Sequence, residues 1–170
     1  MPIARAVPLW GGISAGGFAI VLFHDAKKVD TEECVRAVGR GKLTTAIKTL
    51  APVKPRGPWH VICDNEKFLW AGASLDACAA ERIKLWKMPA KSPDLNPVEK
   101  FWGWLRRQLR GKDLTDLRAG RPPIGKLAFK ARLRSICSSQ RARTVATNFA
   151  MGLKRVCKAV VKNKGARVRN

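Results

Sequence analysis

The segment from Lys91 to Trp102 has the sequence KSPDLNPVEKFW, and it carries the clearest local structure signal in the chain. Asn96 is a residue type favoured at a helix N-cap, and Pro97 is favoured at the first helical position. Glu99 then falls in the first turn, where an acidic side chain is stabilised by the helix dipole. Apolar residues follow at helical spacing: Val98, Phe101, Trp102, Leu105 and Leu109. The segment therefore predicts a helix that begins after Asn96 and buries one face.

Strand and helix patterns alternate on both sides of this helix. Trp59-His-Val-Ile-Cys63 is a short apolar strand pattern that ends at Asp64, and Ile83-Lys-Leu-Trp86 is another. Similar patterns predict a hairpin with strands over 7–14 and 18–24. They also predict a helix that is capped by Asp30 and reaches residue 50, and a helix over 75–82 capped by Ser74. Two basic helices are predicted over roughly 125–138 and 141–161. The alternation predicts an α/β fold in which a mixed sheet is flanked by helices.

Charge is distributed very unevenly along the 170 residues. The chain has 34 basic and 12 acidic side chains, a net charge of +22, and 46% hydrophobic residues, which is enough for a folded core. Residues 1–99 carry 14 basic and 10 acidic side chains, whereas residues 100–170 carry 20 and 2. Such an excess predicts a polyanionic partner, with nucleic acid ahead of an anionic membrane surface. No run of about 18 apolar residues is present, so we expect an intracellular protein without a membrane span.

Two carboxylates stand out against this basic background. Asp64 closes a predicted strand, and Glu99 lies in the first turn of the helix after the next strand. The carboxyl ends of parallel strands and the starts of the following helices meet at one edge of a sheet. The two side chains could therefore converge and bind Mg²⁺ or Mn²⁺, as phosphodiester-cleaving sites do. Taken alone, the same residues also fit an ordinary turn and an ordinary capping box.

The string Ser92-Pro-Asp-Leu-Asn-Pro-Val-Glu99 resembles the third-carboxylate motif of the mariner-like DDE transposases. Three further stretches resemble parts of the same domain: Trp10–Gly17 its second strand and hairpin, Val61–Asn65 the strand bearing its second carboxylate, and Lys154–Gly165 its C-terminal helix. The resemblance implies an RNase H-like catalytic domain for DNA transposition and integration. It also implies that Asp64 and Glu99 are catalytic residues and ligands of Mg²⁺ or Mn²⁺.

One departure from the family concerns its first catalytic aspartate, which lies on a strand preceding the Trp10 strand. Residues 1–13 contain no acidic side chain, so the resemblance implies an N-terminally truncated domain that lacks the first strand and is catalytically incomplete. Asp25 and Asp30 follow the second strand, which the family places three positions from the Asp64 strand, about 14 Å away. That is too far to share a metal. Our hypothesis for the remaining strands is a four-stranded sheet in which the Trp10 and Asp64 strands pair directly.

Basic side chains form the second candidate site. Arg106 lies two turns beyond Glu99 on the same side of the helix, where it could hold a DNA phosphate near the carboxylates, although a solvated helix end explains it equally well. The predicted nucleic-acid contacts are Arg106, Arg107, Arg110, Lys112, Lys126, Lys130, Arg132, Arg134, Lys154, Arg155 and Lys158. We expect a partial RNase H-like catalytic domain over 1–110 and a basic helical C-terminal extension over 111–170.

Three functions compete at this point. The chain could be a metal-dependent transposase core that obtains its third carboxylate from another segment, or an incomplete remnant that binds DNA, or RNA, without sequence specificity. A small basic structural or RNA-binding protein of a ribonucleoprotein is the alternative from another class. The basic C-terminal residues are consistent with nuclear import, and we leave open whether the chain forms a homodimer.

Overall fold

The computed structural model describes residues 7–22, 28–51, 56–90 and 92–165. Its strands are β1 (Leu9–Ser14), β2 (Gly17–Leu22), β3 (Trp59–Cys63) and β4 (Ile83–Lys87). Its α-helices are α1 (Thr31–Gly39), α2 (Lys42–Leu50), α3 (Gly72–Ala80), α4 (Pro97–Arg118), α5 (Lys126–Cys137) and α6 (Gln140–Lys162). Short 3₁₀ turns occupy Lys67–Trp70 and Pro93–Leu95. Asp25, which lies outside the described residues, is not placed.

Capping explains where several helices begin. The Asn96 side chain accepts a hydrogen bond from the Val98 N–H, with Pro97 at the first position of α4, as predicted. The Asp30 side chain caps α1 by accepting from the Glu33 N–H at 3.0 Å. The predicted helix from Asp30 to residue 50 is divided into α1 and α2, because Gly41 adopts a left-handed conformation with φ +68°.

Two predicted boundaries were wrong. Helix α3 begins at Gly72 with Ala71 as its N-cap, so Ser74 is a buried residue of the first turn and not the cap. Helix α4 passes the predicted boundary at residue 110 and continues through Gly111 to Arg118. A single glycine costs a helix only about 1 kcal/mol, and the residues beyond it are helix-compatible. The boundary we placed at residue 110 therefore falls within one continuous helix.

The described strands form two separate two-stranded sheets. β1 pairs antiparallel with β2, and β3 pairs parallel with β4. The hypothesis that the Trp10 strand pairs with the Asp64 strand is therefore wrong: among the described residues, β1 and β3 are not hydrogen-bonded to each other. A cleft of about 450 Å³ lies between them instead. The α/β class holds, but the chain is mostly helical and its sheets are small.

Two hydrophobic cores lie on the two sides of this cleft. The first joins the β1–β2 hairpin to the C-terminal helices, and its centre is Phe101, whose ring stacks on Phe18 with centroids 3.9 Å apart. The second joins α1, α2 and α3 to the β3–β4 sheet through Cys34, Val38 and Ile83. Trp10 packs against the second core and stacks on Phe68 with centroids 6.1 Å apart. The hairpin thus contributes to both cores. No helix in the described part of the chain is long and apolar enough to cross a membrane.

The close approach of Gly11 to the ring of Trp102 gives a test of this packing. A Cβ atom at Gly11 would overlap that ring, so we expect Gly11→Ala to lower the free energy of unfolding by about 1–3 kcal/mol. Gly39→Ala is the matched control, because a Cβ there meets nothing within 4 Å and helix propensity favours alanine. Urea denaturation of both variants measures the difference. Equal stability of the two variants would contradict the packing described here.

Candidate active site and nucleic-acid interface

Asp64 lies in a turn that its neighbours hold in place. Its backbone carbonyl accepts a hydrogen bond from Trp70 Nε1 at 3.0 Å, while its carboxylate is exposed. The adjacent Asn65 donates from Nδ2 to the Met88 carbonyl at 3.1 Å, which joins the end of β3 to the end of β4. The Trp70 indole thus fixes the backbone of the turn that presents Asp64.

Glu99 is exposed in the first turn of α4, and its carboxylate is not part of a capping box. The backbone N–H of Asn96, which a capping-box glutamate would accept, already donates to the Pro93 carbonyl at 3.2 Å. The cap itself is made by the Asn96 side chain. The capping-box explanation for a glutamate at this position therefore does not apply, and the Glu99 residue stays exposed at the N-terminus of α4.

One cleft is lined by both acidic residues. Asp64 and Glu99 line the space between β1 and β3, together with Leu153 of α6. Cys63 also lines the cleft, and burial, with a smaller effect from the Asp64 charge, raises the pKa of its thiol to about 12. A protonated thiol is a poor metal ligand. The ionisable groups at this end of the cleft that suit a hard cation are thus the two carboxylates.

A complete two-metal centre is not formed by the described residues. No group of three His, Cys, Asp or Glu side chains among them is placed to hold a metal ion. Asp30 lines an open depression of about 690 Å³ that also includes Asp64, but its carboxylate accepts the α1 capping hydrogen bond. A bridged metal pair needs more carboxylate oxygens than Asp64 and Glu99 supply. The donor set described here does not fit such a centre.

Two of the eleven predicted nucleic-acid contacts are not available at the surface. Lys130 is only 8% exposed, within the part of α5 that packs against the core. Arg132 has a side chain 17% exposed, and it forms ion pairs with Asp113 at 2.7 Å and with Asp116. These pairs join α5 to the distal half of α4. The basic residues were predicted from composition, which does not distinguish a cation that crosslinks two helices from one that faces solvent.

The other nine predicted contacts are exposed on three helices: Arg106, Arg107, Arg110 and Lys112 on α4, Lys126 and Arg134 on α5, and Lys154, Arg155 and Lys158 on α6. Helix α6 is held to the hairpin by a hydrogen bond from Thr147 Oγ1 to the Ala15 carbonyl at 3.1 Å. Because Leu153 reaches the carboxylate cleft, the basic residues that follow it on α6 begin next to that cleft. No pattern in the sequence predicts this proximity.

Comparison with known proteins finds a matching family, a related sequence and a related structure. A profile of the family described as DDE superfamily endonuclease matches residues 14–119, more than half of the chain. The Tcb1 transposase of Caenorhabditis briggsae is 31% identical over 107 residues, which cover 63% of this chain and 36% of that protein. This chain thus spans about a third of the length of that relative. The solved catalytic domain of Mos1 transposase, described with raltegravir and Mn, aligns over 97% of this chain and 85% of its own, with a TM-score of 0.64 and 15% identity.

The Mos1 likeness identifies the fold as that of an RNase H-like catalytic domain with reduced sheets. The profile match goes further, and the chain belongs to the DDE superfamily endonucleases, among the mariner-like transposases. The motifs around Asp64 and Glu99 predicted this family, and the profile match confirms the prediction.

The reactivity of the five thiols tests the burial of the cysteines described here. Burial raises the pKa values of Cys34, Cys63, Cys78 and Cys137, whereas Cys157 is exposed on α6. We expect one thiol, that of Cys157, to react rapidly with a disulfide reagent in the native protein. Cys157→Ser should remove that fast phase, and the other four thiols should react quickly only after unfolding. A second fast thiol in the native protein would contradict the burial described here.

Proposed function

We propose that this chain is a DNA-binding domain derived from a DDE transposase. In this proposal Asp64 and Glu99 belong to an ancestral centre for Mg²⁺-dependent DNA cleavage and strand transfer, but they do not complete it. The observation that supports the proposal best is the position of both carboxylates in one cleft whose wall includes α6, a helix rich in exposed basic residues.

The phosphate-binding part of the proposal follows from charge and exposure. Helix α4 carries Glu99 in its first turn and Arg106 two turns later, so the Arg106 guanidinium could hold a DNA phosphate near the acidic residues. Lys154, Arg155 and Lys158 are exposed on α6 and begin beside the same cleft. Such contacts position a duplex without distinguishing its bases, so we expect binding without sequence specificity.

The chemical part of the proposal concerns what the two carboxylates can do. Metal ions in sites of this class activate a water molecule and stabilise the leaving oxygen of a phosphodiester. Here Asp64 and Glu99 would each offer carboxylate oxygens to such an ion, at the end of β3 and the start of α4. Since a third ligand is not placed by the described residues, we propose that the chain alone holds DNA and does not cut it.

Charge reversal on α6 tests the binding surface. We expect the Lys154→Glu, Arg155→Glu, Lys158→Glu triple variant to bind a fluorescent duplex more weakly. The slope of log affinity against log salt should also fall by about three, because three phosphate contacts are lost. The control is Arg40→Glu, Lys48→Glu, Arg56→Glu, which changes the net charge equally at exposed positions elsewhere. Equal losses in the two triple variants would show that only the total charge matters and would contradict the proposed surface.

Nicking of supercoiled plasmid tests the catalytic part. In Mg²⁺ or Mn²⁺ we expect the 170-residue chain to give no more nicked product than Asp64→Ala or Glu99→Ala. Both variants should still bind DNA, since neither removes a cation. Nicking that is present in the parent chain and lost in both variants would overturn the incompleteness and indicate a third ligand. Asp25 and Asp30 would then be the first residues to substitute.

The proposal also covers the cellular location of the protein and its nucleic-acid partner. We propose a nuclear location, because the partner is DNA, and we leave RNA as a competitor to be compared in the same binding assay.

A further inference from the structure

The β3–β4 sheet has one packed face and one open face. Val61 of β3 and Ile83 and Leu85 of β4 belong to the second core, which also contains Cys78 of α3. Successive side chains of a strand point to opposite faces, so the residues between these point away from that core. In the described part of the chain, the elements that pack closely against β4 are β3 and α3, and α3 lies on the core side. The opposite face of the sheet, here called the outer face, is therefore open.

The outer face carries four exposed side chains: His60 and Ile62 from β3, and Lys84 and Trp86 from β4. His60 is the register partner of Lys84, and Ile62 is the register partner of Trp86. Ile62 is 59% exposed and Trp86 is 50% exposed. Single exposed hydrophobic residues are ordinary, but two large ones side by side form a continuous patch. The outer face thus has an apolar centre that the core does not use.

The Trp86 indole is held in place although half of it is exposed. Its Nε1 donates a hydrogen bond to His60 Nδ1 at 2.7 Å, and the two ring centroids are 5.9 Å apart. Because His60 lies on the neighbouring strand, this bond limits rotation of the indole. A ring that is already fixed loses little conformational freedom when a ligand binds to it.

The charge around the indole is positive. Lys84 Nζ lies over the ring, 5.2 Å from its centroid, and Lys87 at the end of β4 is also exposed. Neither β3 nor β4 contains an acidic residue. Proteins hold single-stranded nucleic acid by this combination, since the base stacks on the aromatic ring and cations bind the backbone. Charge complementarity therefore favours a polyanion with planar bases over an apolar peptide.

We propose that the outer face binds single-stranded DNA, with one unpaired base stacked on Trp86. The flexible Lys84 side chain gives up its position over the ring to the base, and its ammonium group binds a phosphate of the same strand. The inference rests on the proposed function for its partner, DNA. It assigns a second surface that recognises unpaired bases, whereas the basic residues of α4 and α6 contact phosphates of a duplex. In a duplex the bases stack on one another and are not available to Trp86.

The outer face adjoins the candidate active site. His60 and Ile62 also line the cleft that is lined by Asp64 and Glu99. Asp64 directly follows β3, so a single strand that lies along the outer face can continue towards the acidic residues. The two surfaces can therefore act on the same DNA molecule.

The test compares three fluorescent ligands of the full 170-residue chain by anisotropy. They are an oligothymidylate of about twelve nucleotides, an abasic strand with the same number of phosphates, and a duplex of the same length. We expect the parent chain to bind the oligothymidylate at least about fivefold more tightly than the abasic strand, because one base gains stacking. Trp86→Ala should lose this preference and keep the affinity of the parent for the duplex.

Further substitutions separate stacking from general apolar contact. Trp86→Phe keeps an aromatic ring and should retain most of the preference, whereas Trp86→Leu keeps an apolar side chain and should lose it. Lys84→Gln should lower the salt slope for the oligothymidylate by about 0.7, the value for one phosphate contact on a single strand. Leu127→Ala is the control, because Leu127 is 82% exposed on α5, away from the outer face.

Equal affinity of the parent chain for the oligothymidylate and the abasic strand would overturn the inference, as would equal preferences in Trp86→Phe and Trp86→Leu. Tighter binding of an oligouridylate of the same length would overturn DNA as the occupant. A parent chain that binds the oligothymidylate but not the duplex would contradict the proposed function and support this surface. Should circular dichroism show that Trp86→Ala is unfolded, the abasic comparison on the parent chain and Trp86→Phe decides the question.

Discussion

The stack of Phe18 on Phe101 is the interaction on which the arrangement of this molecule depends. Phe101 is completely buried, and its ring lies against the hairpin strand β2 with centroids 3.9 Å apart. Trp102, the next residue on α4, fills the space above Gly11. Because Glu99 is two residues before Phe101, the packing that holds α4 to the hairpin also sets the position of the carboxylate. Core packing and site geometry are thus determined by the same helix turn.

The opposite side of the cleft is positioned by polar contacts. Trp70 and Asn65 fix the turn after β3 through hydrogen bonds to main-chain carbonyls, at Asp64 and Met88. Asp64 is consequently held by the second core, and Glu99 by the first. The separation of Asp64 and Glu99 therefore depends on how the two cores meet. Trp10 packs against the second core from the hairpin, and Val21 of β2 packs against Ala37 of α1.

Local features of the fold were predictable from sequence, and non-local ones were not. Asn96 and Pro97 define the start of α4 through atoms within three residues, and the motif around Glu99 was long enough to identify the family. The pairing of β1 with β3 was predicted wrongly, because strand pairing depends on the helices that cover each face, and Trp102 and Leu50 are distant in sequence. The sequence does not distinguish Lys130 and Arg132 from exposed basic residues, because their burial depends on the approach of α4 to α5.

Helix α4 is continuous through Gly111, so its length sets the distance between Glu99 and the far end of the helix. At a rise of 1.5 Å per residue, the 19 steps from Glu99 to Arg118 span about 28 Å along α4. Base pairs in a duplex are about 3.4 Å apart along its axis, so this length corresponds to about eight base pairs. Any duplex that lies along α4 with a phosphodiester at Glu99 would therefore extend for most of a helical turn before it passed the end of the helix.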